Sequence, residues 1–384
     1  DSRADTLLYL EHLAQGLADT DLRELFVDKG NEAIDFLCRD IDIPFTVMKD
    51  YPDYYYPAVA GSRPSGRYLE VQPFPAEQLG EWADRCIVTP YGPHYAYTTS
   101  AEWVAHQDGT GRPIWECLAE HMARDERCAG AGLAAYLLKA ALDRGVQFWL
   151  ESPAVSLLKK NGGVSGAVIE TAQGHVHVEA SRGIVLATGG YDWNNEMVTR
   201  FEALTEFGSM CPPTVEGDHL TMAAEVGAIP YPARAPAQTP VFIGYKVPGD
   251  LVYDKPACHM LLPGAPHSII VNQAGKRFAN DSFYPDVATK VGRFDGQEEG
   301  MANWPAWLIF DDQMRQKYGL LPSAPGDELP EGVAVSADSI AELATLSGID
   351  VEGLESSLVR FNTLCEQGID EDFDRGSVPW GRLM

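Results

Sequence analysis

The reading of the fold turns on GIVLATGGYDWN, residues 183–194. Branched apolar residues run into Ala187-Thr188-Gly189-Gly190, the pattern of a buried strand meeting a tight glycine turn where backbone can approach a nucleotide closely. Taken alone, the same junction also reads as purely structural. Immediately upstream lie VQFWLES (146–152), AVSLLKK (154–160), VSGAVIET (164–171) and HVHVEA (175–180). Asn161-Gly162-Gly163 and Gln173-Gly174 separate the last three. Such turns between alternating segments are hairpin signals, so a small antiparallel meander feeds the strand that carries the glycines.

Further out, residues 5–40 alternate apolar and charged positions at helical spacing, with LADTD (17–21) as the break between two helices. Residues 50–75, rich in Tyr, Pro, Gly and Arg, read as a loop. A long helical pattern fills 113–144, closed by Gly145 as a C-cap. Beyond the glycines come a helix at GDHLTMAAEVGA (217–228) and a Pro-rich stretch, 230–266, that reads as a domain boundary. They are followed by strand, turn and strand in HSIIVNQAGKRFAND (267–281), a strand in WPAWLIFDD (304–312) and a pair of helices over 338–366.

A chain of 384 residues with 45% hydrophobic content can bury a sizeable core and suits two domains. Its formal charge of −27 repels phosphate backbones and anionic membranes, so nucleic acid is not expected as a partner. Seven cysteines, an odd number with no C-x-x-C pair, read as reduced, buried thiols of a cytoplasmic protein. No apolar run reaches about 18 residues, and the start lacks a basic segment followed by an apolar one, so neither a membrane span nor a targeting segment is expected. His175 and His177 alternate along one strand without a third ligand, so no metal is expected. G-x-S-x-G is absent, which leaves hydrolase chemistry unsupported.

Gly130-Ala131-Gly132-Leu133-Ala134-Ala135 matches G-x-G-x-x-A, but a dinucleotide fingerprint follows a strand. Here helical or loop-like residues precede it. The motif therefore reads as a helix start whose small residues allow close packing.

Four blocks then follow one another in a familiar order: 152–194, GDHLTMAAEVGA, HSIIVNQAGKRFANDS and 339–376. In that order the chain resembles the flavoproteins that group fumarate reductases with 3-ketosteroid dehydrogenases, over nearly its whole length. The resemblance implies an α/β fold with FAD as cofactor. It places the incomplete, Rossmann-like FAD-binding domain with its meander in residues 1–230, and an inserted α+β substrate domain in 231–384, with the active site in the cleft between. In that family a βαβ unit with the glycine fingerprint precedes the segment like residues 1–40, and a flavin-covering strand and helix follow the segment like DFDRGSVPWGRLM (372–384). Neither has a counterpart in this sequence, which implies an internal portion of such a flavoenzyme that holds FAD weakly by itself.

By the same resemblance, backbone near Val155 flanks the adenine, while Ala187, Thr188, Gly189 and Gly190 pass the adenosine and pyrophosphate. Asp218 opens the family's Gly-Asp helix, with a plain helix N-cap as its alternative reading. Where fumarate reductases carry a proton-donating Arg this chain has Pro285, which can donate nothing. Ketosteroid dehydrogenases carry a Tyr there or one residue earlier, as Tyr284 is here, and a second family tyrosine falls on Tyr54 of Tyr51-Pro52-Asp53-Tyr54-Tyr55-Tyr56. The implied catalytic pair is Tyr54 and Tyr284, with Tyr55 and Phe283 on the substrate. The implied reaction is α,β-dehydrogenation of a small apolar cyclic ketone such as a 3-ketosteroid, with an external electron acceptor. A family-type reduction of an unsaturated acid, or a fragment that binds ligand without catalysis, are the alternatives.

Overall fold

The computed structural model describes residues 2–92, 94–107, 109–229, 243–261, 264–297, 299–320 and 322–382. The described residues mix helices with short sheets. They fall into two compact units: residues 1–140, 234–248 and 259–384 form the first, and 141–233 with 249–258 the second. This grouping differs from a single cut at 230, since residues 1–140 pack with the C-terminal third of the chain. Part of the Pro-rich stretch, 230–242 with 262–263, lies outside the described residues.

The first unit opens with two helices, as the sequence reading has it: α1 (Arg3–Ala14), which the Ser2 side chain caps, and α2 (Thr20–Arg39), which Asp19 caps. Strands β1 (Phe45–Val47) and β2 (Leu69–Val71) pair antiparallel at the two ends of the Tyr-rich loop. The long pattern of 113–144 is two helices, α3 (Ile114–Arg124) and α4 (Ala129–Asp143). Asp125 takes a left-handed conformation and ends α3, a break that periodicity alone does not show. Gly132 in α4 confirms the packing role of the small residues. A Cβ there would stand 2.6 Å from the Arg127 carbonyl oxygen and 3.2 Å from Val71.

In the second unit β3 (Ala154–Lys160), β4 (Gly163–Thr171) and β5 (Gly174–Glu179) form the expected antiparallel meander. Asn161 and Gly162, both at positive φ, make the first turn. Two expected strands are absent. VQFWLES is irregular, with Val146, Trp149 and Leu150 each about half exposed. Residues 183–190 have no strand pairing, and Val185 is 90% exposed. A branched apolar run favours β structure, but ladder hydrogen bonds need a neighbour, and no described strand lies alongside these segments. Helix α5 (Asp218–Glu225) is present as expected.

Hairpin β6 (Gly244–Val252) and β7 (Lys255–Met260) occupies much of what reads as Pro-rich boundary, and its tip groups with the second unit. Back in the first unit, β8 (Ser268–Asn272) runs antiparallel to β9 (Ala306–Phe310). No second strand follows the turn after Asn272. The chain instead enters helix α6 (Tyr284–Val291), with Pro285 in its first turn, where a missing N–H costs nothing.

β8 is apolar on both faces because both are covered. Ile269 and Val271 pack with Ile309 against Ala344, Ile349 and Leu354, residues of α7 (Ile340–Ser347), α8 (Val351–Gln367) and the turn between them. Ile270 joins Ala279 and Val287 on the other side.

Candidate active site

The loop after β1 is pinned by one buried carboxylate. Asp53 accepts from the Arg63 backbone N–H at 2.8 Å and from the Arg67 guanidinium at 2.6 Å, and its own N–H donates to the Arg63 carbonyl. Arg67 also donates to the Gly61 carbonyl at 2.9 Å and lies over the Tyr9 ring. The next residue, Tyr54, is thereby held at the base of a cluster of rings.

A second buried carboxylate fixes the segment that carries Tyr284. Asp281 is 1% exposed; it accepts from the Ile270 N–H at 3.0 Å, from Arg375 at 3.1 Å and from Arg277 at 3.4 Å. Arg277 in turn makes a two-pronged pair with Asp370 at 2.6 and 3.1 Å and lies over Phe361 and Phe373. The Asn280 amide donates to the Asp374 carbonyl, and the Ser282 hydroxyl accepts from the Gly376 N–H at 2.8 Å. Charged hydrogen bonds therefore tie the turn 280–284 to β8 and to residues 370–376.

The two anchored segments bring the expected tyrosines together. The Tyr54 and Tyr284 rings meet edge to face at 5.9 Å, and Tyr54 donates a hydrogen bond to the Tyr284 hydroxyl. Tyr55 meets Phe283, 7% exposed, at 5.6 Å, so all four residues expected at the catalytic and substrate positions share one cluster. Sequence reasoning misses Trp380. Its ring stacks on Tyr54 at 3.9 Å and touches Tyr51 and Tyr68. Nothing in SVPWGRLM flags that contact, because stacking across more than 300 residues leaves no local pattern.

Burial pushes the Tyr54 phenol up, and donating to Tyr284 pushes it further. Burial also raises Tyr284, but there the bond received from Tyr54 acts the other way. Of the two, Tyr284 is the phenol whose anion has a donor ready to stabilise it. The cluster can thus polarise or deprotonate an apolar ligand while shielding it with aromatic surface.

The residues expected at the nucleotide lie in the second unit. Val155 is 42% exposed on β3, and Ala187, Thr188, Gly189 and Gly190 present exposed backbone. Gly189 has φ 82°, and the Thr188 hydroxyl is 3.0 Å from His219 Nδ1. The segment is held by Trp193, whose N–H donates to the Val215 carbonyl and whose indole donates to the Cys211 carbonyl at 2.8 Å. Asp218 is exposed as the first residue of α5, and the N-cap is Gly217 at φ 83°, so the plain N-cap reading of Asp218 is corrected by one residue. An accessible backbone run containing a glycine, beside a helix start, fits one wall of an adenosine-pyrophosphate site.

A family model described as an FAD binding domain matches residues 1–381. The chain belongs to this FAD-binding flavoprotein family. FAD is the family's cofactor. A 4-oxocyclohexanecarboxylate 2-dehydrogenase of Sinomonas cyclohexanicum is 28% identical over all of the chain and 66% of its own length. A 3-oxosteroid 1-dehydrogenase of Mycobacterium tuberculosis is 30% identical over 97% of the chain and 69% of its own length. The chain thus spans about two thirds of each of these two relatives. A crystal structure of 3-ketosteroid delta1-dehydrogenase from Sterolibacterium denitrificans, in complex with 1,4-androstadiene-3,17-dione, superposes with a TM-score of 0.82 at 25% identity. It covers 100% of the chain and 72% of that structure. Among the described residues of this flavoprotein no helix is long and apolar enough to cross a membrane, no cluster of His, Cys, Asp and Glu could hold a metal, and no disulfide joins the described cysteines. Of these cysteines only Cys117 and Cys128 are buried, and Cys365, on the outer face of α8, is exposed, against the expectation of buried thiols.

Proposed function

We propose that this flavoprotein dehydrogenates a cyclic ketone at its α,β carbons, with a 3-ketosteroid-like or oxocyclohexane substrate. The observation that carries the reading is the Tyr54–Tyr284 hydrogen bond inside a half-buried aromatic cluster, in a chain whose relatives are named as dehydrogenases of such ketones. FAD, when bound, supplies the two-electron acceptor for the β-hydride. Tyr284, once deprotonated, takes the α-proton, and Tyr54 favours that phenolate by donating to its oxygen before the transfer, while the negative charge passes to the ketone oxygen. Tyr55 and Phe283 wall the substrate and exclude water. Ala187 to Gly190, with Val155 and Asp218 nearby, line the adenosine and pyrophosphate.

In functional terms residues 1–230 supply the FAD-binding portion, with a Rossmann-like layout, and 231–384 the substrate portion that brings Tyr284. A cytoplasmic location and an external electron acceptor complete the reading. Pro285 argues against reduction of an unsaturated acid, since it offers no proton at the family's Arg position.

The test uses the FAD-loaded full-length enzyme with a cyclic 3-ketone and an artificial acceptor, beside reduced flavin and fumarate. Turnover of the ketone and none of fumarate is expected. Turnover of fumarate but of no ketone would overturn the reading.

A further inference from the structure

Trp380 belongs to a short helical turn, Pro379–Arg382, far in sequence from both tyrosines. Its ring is 6% exposed and lies nearly parallel to Tyr54, centroids 3.9 Å apart and planes at 26°. Tyr51 abuts it at 5.0 Å and 86°, and Tyr68 at 5.9 Å. The indole N–H is buried with no hydrogen-bond partner among the described residues, so packing against these rings is what fixes the indole.

The backbone beside it is fastened to the other tyrosine's segment. Gly381 sits so close to the Ser282 carbonyl that a Cβ would collide with it. Gly376 donates to the Ser282 hydroxyl, and Arg375 reaches Asp281. Trp380 is therefore mounted on the turn that ends in Tyr284 while its face carries Tyr54. We propose that Trp380 is a positioning residue, a bracket that sets the Tyr54 hydroxyl on the Tyr284 oxygen.

The inference rests on the reading of Tyr284 as the proton acceptor. Tyr54 is faced by Tyr51, Tyr68, Tyr284 and Trp380, and Tyr284 also feels Tyr55 and Tyr68. Among these interactions, the bond from Tyr54 is the one that favours the Tyr284 anion. Removing the bracket should have the same consequence as removing Tyr54's hydroxyl: the Tyr284 anion becomes harder to form.

The experiment compares Trp380→Leu, Trp380→Phe, Tyr54→Phe and the double variant Tyr54→Phe/Trp380→Leu in the FAD-loaded full-length enzyme. Two readouts are taken: the pH profile of kcat/KM for a cyclic ketone, and ultraviolet tyrosinate absorbance, with Tyr284→Phe as the subtraction blank. Trp380→Leu should move the rising limb, and the tyrosinate titration assigned to Tyr284, upward by about one pH unit, the size of one hydrogen bond to a charged oxygen. Trp380→Phe, which keeps a ring on Tyr54, should move them by less than half as much. The double variant should shift no further than Tyr54→Phe. A Trp380→Leu profile that falls uniformly without shifting, or a double variant in which the shifts add, would overturn the bracket. If Tyr54→Phe itself leaves both readouts unmoved, the failure lies with the proton-transfer reading instead.

Discussion

Two carboxylate-anchored turns and one open glycine segment make an instructive contrast. In the first unit Asp53 and Asp281, 4% and 1% exposed, each collect a backbone N–H and at least one arginine, and the tyrosines ride on those anchors. In the second unit residues 184–190 carry an equally apolar sequence, yet Val185 is 90% exposed and the backbone is irregular. The difference teaches that hydrophobic pattern states a preference for burial, whereas paired charges and neighbouring strands determine whether a segment is held.

The largest stability difference should come from removing an anchor. Asp281→Asn leaves Arg277 and Arg375 short of a buried anion and should cost about 3 kcal/mol or more. Chemical denaturation measures this, and a loss below about 1 kcal/mol would show that the network is not what holds the turn.

Glycine substitutions sharpen the contrast. Gly275 has φ 68°, and a Cβ there would collide with the backbone of Leu354, so Gly275→Ala should cost at least about 2 kcal/mol. Gly162 has φ 81° with open space around it, so Gly162→Ala should cost only about 1 kcal/mol, the backbone term alone. Equal losses at the two sites would remove the packing argument. The smallest effect is expected at Val185→Thr, within about 0.5 kcal/mol of the parent in the same measurement, because almost none of that side chain is covered. A loss above about 1.5 kcal/mol would mean that the segment is buried in the working protein.

The sequence was legible where structure is local. The Asn-Gly and Gln-Gly turns announced the meander, and the helical spacing with its break at LADTD announced the first two helices. The strand reading of 183–188 failed because strand formation depends on a partner, and the single-helix reading of 113–144 failed at one left-handed residue, Asp125. Pro285 with DVATKV does carry the signature of a helix start, and it identifies α6 better than strand propensity does. Tyr54 and Tyr284 were accessible through family motifs, but the indole stacked on one of them and the arginine network behind the other exist only once distant segments have met.

The most direct measurement is the pH dependence of kcat for Tyr284→Phe beside the parent, with FAD loaded and a cyclic 3-ketone as substrate. A raised phenol acting as base must lose its proton first, so parent activity should climb with pH up to and beyond the ordinary tyrosine value near 10. Tyr284→Phe should lower kcat by roughly 10²-fold or more and abolish that climb, with little loss of FAD. An unchanged rate with the climb intact would return Tyr284 to the role of a wall residue and contradict the proton-transfer reading.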